Sequence, residues 1–227
     1  MLRAILVLLA VVACAVLALA AFIYVRDVSY VVDSYRYRLT VNFMVDGKPL
    51  SASGVVQETI HSPPCILLEQ TCGRISIKGD AIPVSFPNGR TAFVLLEVVD
   101  ENRGATVGLF PSSALPKASP TGKMNAWMHK DFEVRTKLLP TIVFFADTGD
   151  PSSIIIVEPT NIAEIGGPSA VYQNAIVTVT DEPVTRGLEN RLPWILTYKN
   201  NLDLKSVDFF RYMLMENLVS YLRRDDL

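Results

Sequence analysis

Hydrophobic and polar positions divide this chain into stretches of different period. Ala4 to Val25 is a run of 22 residues without a charge, closed by Arg3 on one side and by Arg26 and Asp27 on the other. At helical rise that run spans roughly 33 Å, enough to cross a bilayer core of about 30 Å. From Ser34 to Val45 the pattern becomes strict alternation. Tyr35, Tyr37, Leu39, Val41, Phe43 and Val45 share one face, and Ser34, Arg36, Arg38, Thr40, Asn42 and Met44 the other, which is the period of a strand with one buried side. Asp46-Gly47 then supplies the residues of a type I′ turn. A two-residue loop there sets Phe43 opposite Leu50, Val41 opposite Ala52, Leu39 opposite Gly54 and Tyr37 opposite Val56, so that large faces small across the pair.

The same reading continues along the chain. His61-Ser62-Pro63-Pro64 reads as a loop, and Asp80 to Phe86 and Thr91 to Val99 flank a second turn at Pro87-Asn88-Gly89-Arg90. The run TAFVLLEVV is apolar on both faces and belongs inside a sheet, whereas Pro83, lacking an N–H, pushes its own strand to an edge. Residues 101–122 are rich in glycine, proline and serine and mark a loop or a division between two lobes. A short helix is expected through Met124, Trp127 and Met128, and strands over Thr141 to Ala146, Ser153 to Val157 and Ala170 to Thr180. A last helix from Ser206 to Arg224 places Phe210, Met213, Leu214, Leu218, Tyr221 and Leu222 on one stripe, with Arg223 and Arg224 at its negative end. The fold class this predicts is α+β: an N-terminal transmembrane helix within residues 1–26, then a sheet-rich domain over 27–227 with antiparallel hairpins and a C-terminal helix.

Charge removes one class of partner. Twenty-one basic and 23 acidic residues leave a net charge of −2, with no basic stripe to neutralise phosphates, so nucleic acid is set aside. The apolar segment has three readings: a retained signal-anchor, a signal peptide cut after Ala18-Leu19-Ala20, or a lipobox-like Val11-Val12-Ala13-Cys14 lipidated at Cys14. Its length favours the anchor, with the lipid bilayer as a partner. The flanking basic residues do not favour export of the long side, but the N-terminal position of the segment and the pair Cys65 and Cys72 do.

Candidate chemistry is sparse. Cys65 and Cys72 enclose six residues, a spacing compatible with a disulfide or with two buried thiols, and unlike the usual short zinc-ligand pairs. Asp147-Thr148-Gly149, after the apolar run TIVFFA, has the form of the aspartic-peptidase motif, in which two carboxylates share a proton. The later apolar-apolar-glycine segment of a retropepsin is missing, and Asp147, Gly149, Asp150 and Pro151 are also ordinary turn formers. No nucleophile elbow, zinc-protease helix, phosphate loop or dinucleotide fingerprint is present, and nothing implies a cofactor or a metal.

The succession YRLTVNFMVDGKPLSASGVVQE, GDAIPVSFPNGRTAFVLL, FFADTGDPSSIIIVEP and VTDEPVTRGLENRLPWI resembles a group of uncharacterised, mainly proteobacterial proteins with an N-terminal hydrophobic segment. That resemblance covers about Tyr35 to Ile195 and makes Asp150-Pro151 the more characteristic pair of the block around Asp147. It implies no activity for any residue. The expectation is therefore a single-pass protein of the bacterial inner membrane with its domain in the periplasm. It would act as a non-enzymatic binding or assembly module for an unidentified envelope protein, with an aspartic peptidase using Asp147 as the alternative.

Overall fold

The computed structural model describes residues 12–19, 30–62, 74–99, 106–107, 115, 123–135, 138–199 and 209–225. In chain order the elements begin with helix α1 (residues 12–19), β1 (Tyr30–Val45), β2 (Lys48–Ser62), β3 (Arg74–Asp80), β4 (Ile82–Ser85) and β5 (Thr91–Val94). The short strands β6 (Val98–Val99), β7 (Thr106–Val107) and β8 (Asp131–Glu133) follow, then β9 (Ile142–Phe145) and β10 (Ile154–Val157). Helix α2 (Ala163–Gly166) and β11 (Val171–Thr180) lead to α3 (Phe209–Glu216), α4 (Leu218–Leu222) and β12 (Arg223–Arg224). Antiparallel sheet dominates: a six-stranded sheet in the order β12-β3-β2-β1-β11-β8, a four-stranded sheet in the order β10-β9-β5-β4, and a two-stranded ribbon of β6 and β7.

The chain divides into two compact units, the first Met1–Ser34 with Thr59–Ser76, the second Tyr35–Glu58 with Ile77–Leu227. In the first, α1 is exposed along its length, with Val12, Val16, Leu17 and Leu19 all more than half open. Among the described residues no helix is long and apolar enough to cross a membrane. The eight helical residues described there rise about 12 Å, less than half of a bilayer core of about 30 Å. The expected transmembrane helix, and with it the single-pass inner-membrane placement and the periplasmic domain, is therefore corrected: of the apolar run, the described residues form a helix only over 12–19.

The second unit is built in layers. Tyr35, Tyr37, Leu39, Val41, Phe43 and Val45 are all buried, as alternation requires. At the turn, Asp46 and Gly47 take φ of 50° and 70°. The chain then changes sheet at Ala81: Asp80 ends β3 in the six-stranded sheet and Ile82 begins β4 at the edge of the other. One face of the four-stranded sheet meets the six-stranded one, where the Phe86 ring stands edge-on to Phe43 at 5.6 Å and Ile82 fills the space over Gly54. Phe93, Val143, Phe145 and Ile154 point the other way, into a core shared with Leu188, Leu192, Ile195, Leu214, Leu218 and Leu222.

The single C-terminal helix expected to run to Arg224 is corrected as well. It breaks at Asn217, ends at Leu222, and Arg223 and Arg224 pair as a strand with Asp80 and Gly79.

Candidate functional site

Asp147 sits where β9 runs out. Its strand stops at Phe145 because the ladder to β10 closes there, with Ala146 N donating to Ser153 O. The following loop bonds to itself: Gly149 N donates to Asp147 Oδ1 at 2.8 Å, Asp150 N to Asp147 O at 3.0 Å, and Asp147 N to Ser153 Oγ at 3.0 Å. Asp150 caps the short 3-10 helix Pro151–Ser153, accepting from both N and Oγ of Ser152. Those hydrogen bonds hold its carboxyl below the ordinary aspartate range. The DTGD segment is thus an exposed polar turn, and Asp147 spends one oxygen on an Asx turn.

Beside it lies an open groove of about 510 Å³ between Gly89–Thr91 and Phe144–Thr148. Asp147 is the one carboxylate among the residues that line it. Arg90 supplies the opposite charge. Its Nη1 donates to Glu164 O at 2.9 Å, and its guanidinium stands 5.9 Å from the centre of the Phe144 ring. Next to it, Asn88 Nδ2 donates to Ile165 O at 2.7 Å, so the tip of the β4–β5 hairpin grips the carbonyl end of α2. At the end of the same turn, Trp194 Nε1 donates to Thr148 O at 2.8 Å. Arg90 was visible in the sequence only as a turn residue. Its role follows from a contact with Glu164, far along the chain.

Two buried carboxylates, Asp80 and Glu97, belong to a separate network. Asp80 is only 2% exposed. Its Oδ1 lies 3.1 Å from Arg186 Nη1 and 3.8 Å from Arg223 Nε, and its Oδ2 accepts from Leu188 N at 3.0 Å. Arg223 reaches on to Glu189 at 2.8 Å, Arg186 to Asp225 at 2.7 Å, and Arg224 pairs with the buried Glu97. Buried carboxylates answered by guanidinium groups and main-chain donors make a structural clasp, with its polar atoms engaged inside the protein. Tyr37 stands nearby with its pKa pushed well up, first by burial and then by the negative charges of Glu58 and Glu97.

His61 belongs to β2 rather than to the expected loop, and its Nε2 is 3.1 Å from Ser76 Oγ. A nucleophile–base pair needs a third group to orient the imidazole. Asp33, on the neighbouring strand, shares the buried face of β1 with Tyr35, whereas Ser34, one residue on, bonds Thr59 on the other, partly buried face, on which His61 follows by two. The pair reads as a cross-strand hydrogen bond.

Cys65 and Cys72 lie outside the described residues, and Cys14 is exposed on α1. Among the described residues no group of three or more His, Cys, Asp or Glu side chains gathers as metal ligands would. Comparison of the chain with protein-family models, with curated proteins and with solved structures finds no match.

Proposed function

We propose that this protein is a non-enzymatic binding or assembly module that works through the groove between the β4–β5 hairpin and the end of β9. The observation that carries this reading is the state of Asp147. Proton-sharing catalysis requires two carboxylates at close range, the second from this chain or from a second copy of it; from this chain Asp147 is the one carboxylate lining the groove, which it shares with the Arg90 guanidinium, and one of its oxygens is bound to Gly149 N. Two of the strongly buried acids, Asp80 and Glu97, are answered by arginines, which suits a scaffold better than a reaction centre. A volume of about 510 Å³ lies in the usual range for small-ligand sites.

The test joins two measurements on the full chain. Incubation with a mixed peptide library, read by mass spectrometry, is expected to yield no cleavage in either the natural protein or Asp147→Asn. A panel of small peptides, screened by amide chemical shifts, is expected to perturb residues 88–91 and 146–149. Cleavage that disappears in Asp147→Asn would replace this reading with the peptidase.

A further inference from the structure

We propose that the groove between Gly89–Thr91 and Phe144–Thr148 takes a small peptide zwitterion of two or three residues, its carboxylate toward Arg90 and its ammonium toward Asp147. This rests on the binding reading above and gives it a ligand class.

Arg90 and Asp147 line one groove with opposite charges and do not pair with each other among the described residues. Each is held back by main chain of a different segment: the guanidinium by Glu164 O at 2.9 Å, the carboxylate by Gly149 N at 2.8 Å. An ion pair on an open surface gains little because it must order two side chains in one geometry. Here both are fixed beforehand, so a ligand meets them without the entropy of ordering two long side chains. Both keep bonding capacity. A guanidinium carries five N–H donors and needs only one for Glu164 O, and Asp147 Oδ2 has no protein donor among the described residues.

Size and surface narrow the class further. A volume of about 510 Å³ corresponds to a space on the order of 10 Å across, and an extended peptide advances about 3.3–3.6 Å per residue, so two or three residues span it. The lining is also aromatic at Phe144, which is half-buried beside the Arg90 guanidinium and gives the groove apolar surface for a ligand side chain. A simple anion would leave Asp147 unanswered and repelling. A simple cation would do the same to Arg90.

The test is a titration of the full chain followed by amide chemical shifts, with alanyl-phenylalanine, its N-acetyl form, its C-terminal amide and free phenylalanine as probes. The free dipeptide is expected to shift residues 88–91 and 146–149, and each cap to weaken binding by about three- to tenfold. Asp147→Asn keeps an oxygen for Gly149 N, so the turn survives. In that variant the penalty for acetylation should vanish while the penalty for amidation remains. Arg90→Gln should show the reverse, and if it fails to fold, the Asp147→Asn arm decides alone. Tighter binding of free phenylalanine than of the dipeptide overturns the two- to three-residue assignment. Equal binding of capped and free dipeptides, or no dipeptide response in the groove, overturns the zwitterion, and shifts there with any other peptide of the panel leave the binding module standing. Cleavage of the dipeptide that Asp147→Asn abolishes overturns the binding module itself.

Discussion

Asp80 is a full charge at 2% exposure, and three donors answer it: Arg186, Arg223 and Leu188 N. Truncating one partner of such a set leaves the others in place with their desolvation uncompensated. Asp80→Ala is expected to cost about 3 kcal/mol, at the low end for a buried pair because both arginines keep some contact with water, and urea unfolding would measure it. Tyr37 gives a pH-dependent counterpart. Burial, then the charges of Glu58 and Glu97, raise its pKa above the ordinary tyrosine value. A group with a raised folded pKa contributes stability that is whole below its unfolded pKa, about 10, and is lost as pH rises from there toward the folded value. The tyrosinate absorbance that Tyr37→Phe removes should therefore appear only as the circular dichroism of the fold disappears. Reversible ionisation of Tyr37 near pH 10 in the folded protein would contradict the burial argument. The turn character of Asp147 and Asp150 was legible in the sequence, because Asx turns and 3-10 caps are local chemistry. The partners of Asp80 were not, since nothing within a few residues of Asp80 announces Arg186 or Arg223.

At the level of elements, what was legible follows the range of the force involved. The alternation of β1, the two-residue turn at Asp46-Gly47, the edge position of the Pro83 strand and the buried stripe through Leu214, Leu218, Tyr221 and Leu222 all depend on side-chain period or local backbone, and all are present. Gly54 shows the limit. Large facing small was expected within the hairpin, with Leu39 opposite Gly54. The space over this glycine is filled from the other sheet, which the hairpin alone could not announce, and a Cβ placed there would stand 2.8 Å from Ile82 Cγ1. Gly54→Ala should cost about 1–3 kcal/mol by overpacking. Ile82→Ala opens room at that spot, so the double variant should lose less than the sum of the two single losses, by about 0.5–3 kcal/mol. Strict additivity in denaturant midpoints would mean the two residues do not share the contact. The C-terminal arginines failed as a sequence reading for a related reason. Two basic residues after a helix fit its dipole, but a vacant position beside β3 and two buried acids outweigh that modest term, and the helix gives way to a strand.

For the molecule as a whole, the pairings join distant parts of the chain: Arg36 lies opposite Thr180 and Asp80 opposite Arg223. Contacts of such separation make folding slow, in the range of milliseconds to seconds, because the intervening chain must be ordered before they form. They also give the last described residues a disproportionate weight. Ending the chain after Leu222 would uncover the outer edge of β3 at Gly79 and Asp80 and take Arg224 away from Glu97, which is 4% exposed. The truncated protein is expected to lose about 3 kcal/mol or more in urea unfolding. Deleting a strand also removes hydrogen bonds, so the size of the loss cannot by itself assign it to charge. A second substitution separates the two. In the full chain, Glu97→Gln weakens a buried pair and should destabilise; in the truncated chain it removes a buried charge that has lost its Arg224 guanidinium, and should be neutral or stabilising. The change of sign between the two backgrounds is the signature of the clasp, and an equal cost in both would mean that β12 matters only for its main-chain pairing with β3.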